Sequence, residues 1–142
     1  MGRVLGIDYG ERRMGMAISD PTCTIAQPLP TIVRRRGKRP PYTKIMDVLN
    51  EWGAERVVVG LPLETSGAEG RLASEVRDFG DGLERRASVQ VEYWDERFTS
   101  VQAQRELARL EAPATSRREK ERVDAMAAML ILQAYLDAKS KD

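Results

Sequence analysis

A carboxylate interrupts the first apolar run of this chain: Asp8 follows Val4, Leu5 and Ile7 and precedes Tyr9. Those neighbours favour a strand covered on both faces, where a carboxylate costs free energy unless something positive compensates it. Asp8 is therefore paired, protonated or holding a metal. Gly6 and Gly10 weaken a strand through backbone entropy, and glycines in such places are tolerated where a backbone or ligand approaches closely. Glu11, Arg12 and Arg13 break the apolar pattern and Met14 to Ser19 resumes it, which predicts a hairpin with Asp8 on its first arm.

The chain beyond the hairpin alternates between the two periodicities. A turn-rich stretch from Pro21 to Pro30 leads into a short β-branched segment, Leu29 to Val33, expected as a third strand. Pro40 and Pro41 close an exposed basic loop. From about Thr43, Ile45, Val48, Leu49 and Trp52 fall at helical spacing until Gly53 stops the helix. Arg56 to Gly60, with three consecutive valines, reads as a strand buried on both faces, as parallel sheets require. The loop Leu61 to Gly70 allows two readings: an anion site between a strand end and a helix start, or a capping box formed by Ser66 and Glu69. Leu72, Val76, Phe79 and Leu83 carry the next helix, and Val89 to Trp94 the next strand.

That strand ends in Asp95, Glu96 and Arg97, which either mark its exit from the core or contribute to a site. Thr99 and Gln102 suggest a capping box for a helix from Val101 to Leu110, followed by a loop from Ala112 to Ser116 containing Pro113. Ser116 and Glu119 form a third box, opening a helix to about Ala138. Asp124 shares a face of this helix with Ala127, Ala128 and Ile131, so it is expected to look inward, while the two alanines let the helix lie close to a sheet. Its place near the helix start offers dipole stabilisation as a purely structural role. The order of elements predicts an α/β fold: a mixed sheet whose late strands run parallel to the first, with helices on both faces. One domain is expected over residues 1–138, with residues 139–142 frayed.

The chain has 142 residues and no histidine. That absence removes serine–histidine and cysteine–histidine nucleophiles, histidine acid–base chemistry and the common zinc sites. Chemistry built from carboxylates alone favours hard cations such as magnesium or manganese. A single cysteine, Cys23, rules out an internal disulfide framework, and the lack of a signal-like or membrane-spanning run leads us to expect a soluble, cytoplasmic protein. Net charge is only +1, but Arg34, Arg35, Arg36, Lys38 and Arg39 form one basic block, and Arg117, Arg118, Lys120 and Arg122 another. Each is either a solvated face or a phosphate contact.

Asp8, Glu96 and Asp124 belong to three separate elements that a mixed sheet can bring together. A carboxylate cluster without histidine is the arrangement that holds two magnesium ions for phosphoryl transfer. Four stretches, GIDYGERRMGMAISDP, VVVGLPLETSGAEG, DERFTS and VDAMAAMLILQAYL, span nearly the whole chain. In order and content they resemble the YqgF or RuvX family, whose members are described as pre-16S rRNA nucleases and as Holliday junction resolvases.

The resemblance implies a ribonuclease H-like fold and a nuclease using magnesium or manganese, with Asp8, Glu96 and Asp124 as catalytic residues and metal ligands. It implies a nucleic-acid partner, either precursor rRNA or branched DNA, and a monomer or homodimer with no membrane association. Arg12 stands at the family's basic position in the hairpin turn, and Arg97 and Arg122 are further candidate nucleic-acid contacts. The chain departs from the family at Glu64, Thr65 and Ser66, where GLPLNMDG is usual. Ala127, one turn after Asp124, stands where junction resolvases proper carry another acid, which favours RNA processing over junction cleavage. Two other readings remain open: a nucleotide-binding module of the actin-like superfold, for which the chain lacks a second lobe, and a nucleic-acid-binding protein without catalysis.

Overall fold

The hairpin around Asp8 becomes the centre of a sheet. In the computed structural model, which describes residues 2–35, 37–111 and 116–140, β1 (Arg3–Asp8) pairs antiparallel with β2 (Arg13–Ser19) across the polar turn. The register sets Leu5 opposite Ile18, Ile7 opposite Met16 and Asp8 opposite Gly15. β3 (Ala26–Val33) begins earlier than the predicted Leu29 and contains Pro28 and Pro30. It lies at one edge of the sheet, where a missing N–H need not cost a ladder bond.

On the other side of β1, β4 (Ala54–Leu61) and β5 (Gln90–Asp95) run parallel to it, so the strand order is β3-β2-β1-β4-β5. Parallel neighbours need crossovers, and α1 (Tyr42–Trp52) and α2 (Arg71–Ala87) supply them. α1 ends at Gly53, whose φ of 64° is the left-handed conformation that returns its N–H to the Asn50 and Leu49 carbonyls.

Alternation along the strands divides the core in two. Leu5, Ile7, Met16, Val57 and Val59 face Ile45 and Leu49 of α1 and Val76, Phe79 and Leu83 of α2. The opposite face carries Val4, Ala17 and Val58, and against it lies α4 (Arg117–Ser140) with Ala128, Leu132, Tyr135 and Leu136. Helices thus cover both faces, as expected. Gly6, Gly15 and Gly60 also belong to the α4 face. A Cβ at Gly6 would sit 2.8 Å from Leu132 Cβ, one at Gly60 would sit 2.5 Å from Ile131 Cδ1, and one at Gly15 would overlap the Asp124 carbonyl oxygen. Three strand glycines cost about 2–3 kcal/mol relative to alanine, whereas burying Ile131 and Leu132 contributes roughly 2 kcal/mol each. Close helix–sheet approach therefore outweighs the loss of strand propensity.

Local expectations fail in three places. Ser66 and Glu69 do not cap α2: Gly70 occupies the N-cap position without a side-chain bond, Ser66 sits in a turn closed by Gly67 N–H to Glu64 O, and Glu69 pairs with Arg77 at 2.7 Å. Leu72 faces outward, and Ala73 takes its place beside Val76. α3 (Val101–Glu111) is started by Thr99, whose Oγ1 accepts from the Val101 N–H at 3.2 Å, without a reciprocal bond from Gln102 among those the described residues show. The Ser116 cap forms as expected, accepting from the Glu119 N–H at 3.1 Å. The predicted loop from Ala112 through Pro113 lies outside the described residues, as does the predicted fraying of residues 141 and 142. α4 itself continues through Lys139 and Ser140.

Candidate active site

Three strands of the parallel half deliver the site at their carboxyl ends, the edge at which open α/β sheets place ligands. Asp8 is the last residue of β1 and points to the α4 face because it is in phase with Val4 and Gly6. Gly60 lies near the end of β4. Glu96 directly follows β5 as the first residue of a single 3-10 turn, Glu96–Phe98.

That turn aims Glu96 inward. Asp95 accepts the Arg97 N–H at 2.9 Å, and the Thr99 hydroxyl donates to the Glu96 carbonyl at 2.7 Å. Glu96 is consequently buried, and its carboxylate occupies the space that Gly60 leaves: a Cβ at position 60 would stand 3.2 Å from Glu96 Oε2.

Asp8 and Glu96 share one cation. Arg105, reaching in from α3, donates from Nη2 to Asp8 Oδ1 at 2.5 Å and from Nη1 to Glu96 Oε1 at 3.0 Å. Burial pushes the Asp8 carboxyl up to about 6; the Arg105 charge opposes this, and the negative charges of Glu96 and Asp124 reinforce it. Burial disfavours the Arg105 charge in turn, but Asp8 and Glu96 more than offset it and hold the guanidinium above its ordinary range. The cluster is therefore a pair of carboxyl groups bridged by one guanidinium.

Asp124 approaches from α4, on the face predicted for it, and is half-buried beside its own cation: Arg13 Nε lies 2.6 Å from Asp124 Oδ2. The structure thus brings Asp8 and Glu96 onto one cation and sets Asp124 on another within the same electrostatic field. Among the described residues, no three carboxylates are gathered at a single ligand point.

The other sequence candidates are spread around this centre. Arg12 is exposed at the hairpin turn. Arg97 forks onto Asp95, with Nη2 at 2.7 Å, and its Nη1 donates to the Thr65 carbonyl at 3.3 Å, so it ties the loop after β4 to the end of β5. Arg122 is exposed on α4, at the rim of a groove between α3 and α4 lined by Val101, Ala108, Val123 and Met126. Arg13 and Arg105 escaped the sequence reading. Each carried a weak signal: Arg105 lies four residues after buried Val101, and Arg13 is in phase with Gly15 and Ala17 on the α4 face.

The donor set suits a divalent cation. Asp8, Glu96 and Asp124 present only hard carboxylate oxygens, and the guanidinium bridging Asp8 and Glu96 is a stand-in for a positive charge at that point.

Known proteins resemble this chain along nearly its whole length. The profile of the RuvX family, described as Holliday junction resolvase, matches residues 2–138. A protein of Koribacter versatilis is 40% identical over 141 residues, covering 99% of this chain and 90% of that protein. One of Syntrophomonas wolfei is 40% identical over 138 residues, covering 97% and 96%. Both bear the name "Putative pre-16S rRNA nuclease". Among solved structures, Thermus thermophilus RuvC in complex with a Holliday junction substrate superposes with a TM-score of 0.56 at 19% identity, covering 97% of this chain and 96% of that one. The fowlpox virus Holliday junction resolvase gives 0.52 at 11% identity, covering 96% and 99%. These likenesses show the fold, and the sheet is ribonuclease H-like as expected. With its match running through all but the last few residues, this chain belongs to the RuvX family.

Proposed function

We propose that this protein is a divalent-metal-dependent endonuclease that hydrolyses phosphodiester bonds at the 5′ end of precursor 16S rRNA. One observation carries the reading: two buried carboxylates from the carboxyl ends of parallel strands, Asp8 and Glu96, converge on a single cation. The name shared by the 40%-identical relatives supports the substrate.

Asp8, Glu96 and Asp124 would hold magnesium or manganese, which supplies Lewis-acid stabilisation of the phosphoryl oxygens and a nucleophile at neutral pH. The chain's own contribution is positional. The Glu96–Phe98 turn and the gap at Gly60 fix Glu96 against Asp8, and Arg13 orients Asp124 toward the same edge. Burial keeps bulk water from the Asp8 carboxylate, which would strengthen its attraction for a bound cation. Arg12 and Arg122, both exposed, would hold the RNA backbone; Arg97, engaged with Asp95 and Thr65, is better suited to shaping the loop than to meeting a phosphate.

Junction cleavage is the second reading, favoured by the family description. Against it stands Ala127, packed with Val101 and Ile131 where a resolvase would carry another acid. Resolution also needs a homodimer to cut two strands symmetrically. Cytoplasmic location fits an rRNA substrate, and no described helix is long and apolar enough to cross a membrane.

The test is cleavage, with magnesium or manganese, of an RNA spanning a precursor 5′ end and of a four-way DNA junction, by the wild type and by Asp8→Asn. We expect the RNA alone to be cut, by a monomer, and the variant to be silent. Paired symmetric junction cuts by a dimer would move the function to recombination, and salt-sensitive binding unchanged by Asp8→Asn without any cleavage would make this a binding protein.

A further inference from the structure

Resting on the metal-site reading above, we propose that Arg105 is a built-in competitor of the metal: its guanidinium closes the Asp8–Glu96 site in the metal-free protein and has to withdraw when a divalent cation binds.

The geometry makes the two cations alternatives. Arg105 takes Asp8 Oδ1 and Glu96 Oε1 with its two terminal nitrogens, at 2.5 Å and 3.0 Å, so it stands between the two carboxylates that would ligate a metal. A divalent ion needs oxygens at about 2.0–2.1 Å for magnesium, and a guanidinium on the same pair would meet that ion as a like charge at contact distance. The carboxylates cannot be left bare either. Asp8 and Glu96 are buried beside each other within the field of Asp124, and an uncompensated pair in that setting is strongly destabilising. Arg105 answers that requirement in the absence of metal.

The surroundings give Arg105 a way out. Its side chain is 39% exposed although both partners are nearly covered, so it enters the site from the solvent side. α3 is anchored to the core through Val101, fully buried at its first residue, whereas Leu107 and Leu110 further along are exposed. Beneath α3 lies an open groove of about 470 Å³, lined by Val101, Gln104, Leu107, Val123, Met126 and Ala127. Arg105 itself lines this groove together with Glu119, which gives its guanidinium a place to swing to when it leaves the two carboxylates and loosens the tether that holds α3 over the site. Arg13 differs in kind: among the described residues it pairs with Asp124, from the first position of β2, and stays as an orienting partner.

The consequence is a site whose affinity for metal is set by an internal counter-ion. Arg105 acts through Asp8 and Glu96 and is a positioning residue, so its test must read something other than cleavage. Calorimetric titration of manganese into the full chain, wild type against Arg105→Gln and Arg105→Lys, supplies that readout, with the melting temperature of each protein measured metal-free and metal-loaded. Arg105→Gln should bind manganese at least tenfold more tightly and melt lower without metal, with metal restoring most of the loss; Arg105→Lys, which keeps a charge but not the fork, should fall between. Amide exchange in Val101–Glu111 of the wild type should quicken when magnesium is added. Unchanged or weaker manganese binding by Arg105→Gln, in a wild type that itself binds manganese and cleaves RNA, would overturn the competitor role and leave the nuclease reading standing. If neither wild type nor Arg105→Gln bound either metal, the metal-site reading would fall and this proposal with it. Should Arg105→Gln fail to fold, Arg105→Lys decides: affinity no tighter than wild type overturns the proposal.

Discussion

Gly15 lies directly beneath Asp124: a Cβ on the strand residue would overlap the carbonyl oxygen of the helix residue, and Gly15 is also the cross-strand partner of Asp8. One missing side chain thus sets the height of α4 above the sheet at the level of the site. Gly15→Ala should raise α4 locally and carry Asp124 away from Asp8. We expect a loss of about 1–3 kcal/mol in chemical denaturation, the usual scale of an overpacked contact, and a larger proportional loss of cleavage. Wild-type activity in the variant would show that Asp124 is not held by helix height.

Gly60 performs the corresponding service for Glu96, but with two neighbours of different compliance. A Cβ there meets the flexible end of Ile131 at 2.5 Å and Glu96 Oε2 at 3.2 Å. Gly60→Ala should therefore cost stability through Ile131 and metal affinity through Glu96. Adding Ile131→Val should recover part of the stability and none of the manganese affinity, read by denaturation and calorimetry on the single and double variants. Joint recovery of both would mean that Glu96 is displaced only through Ile131.

The arginines divide by what already holds them. Arg97 is spent on Asp95 and Thr65, while Arg12 and Arg122 are exposed. Arg122→Ala and Arg12→Ala should each reduce the salt dependence of single-stranded RNA binding by about 0.7 in the log–log slope, the share of one phosphate contact. Arg97→Ala should leave that slope unchanged, lower stability only slightly as loss of an exposed ion pair does, and speed amide exchange in residues 61–70. A slope altered by Arg97→Ala would return it to the phosphate contacts.

Acid sensitivity has a source outside the site. The Asp20 carboxylate accepts the Ile25 and Thr24 N–H groups at 2.9 Å and 2.7 Å and the Thr22 hydroxyl, and these bonds hold its carboxyl well below the usual carboxylate range. The folded chain then binds fewer protons here than the unfolded chain, so this contribution is complete above the unfolded value near 4 and is lost as pH falls through the depressed one. Asp20→Ala should be less stable than wild type at neutral pH and should show a shallower acid limb below about pH 4 in thermal melts. Parallel acid limbs would assign the turn's stability to its backbone alone.

Much of this architecture could be read from residue order, because strands and helices announce themselves through periodicities of two and 3.6 that depend only on local neighbours. The hairpin, the valine-rich β4, the alanine face of α4 and the inward phase of Asp8 all follow from that. Local logic failed where a distant group competed for the same side chain: Glu69 left its expected cap for Arg77, and the proline-bearing segment before Leu29 joined a sheet edge that exists only once β2 is in place. The candidate site divides along the same line. Three carboxylates in three elements were visible as residues out of place, whereas their cations were not, since Arg105 is 97 positions from Asp8 and Arg13 is 111 from Asp124. A buried charge can be recognised from its own neighbours in the chain, because its cost is local; the partner that compensates it is chosen by proximity in space, which only the folded sheet and its crossing helices bring about.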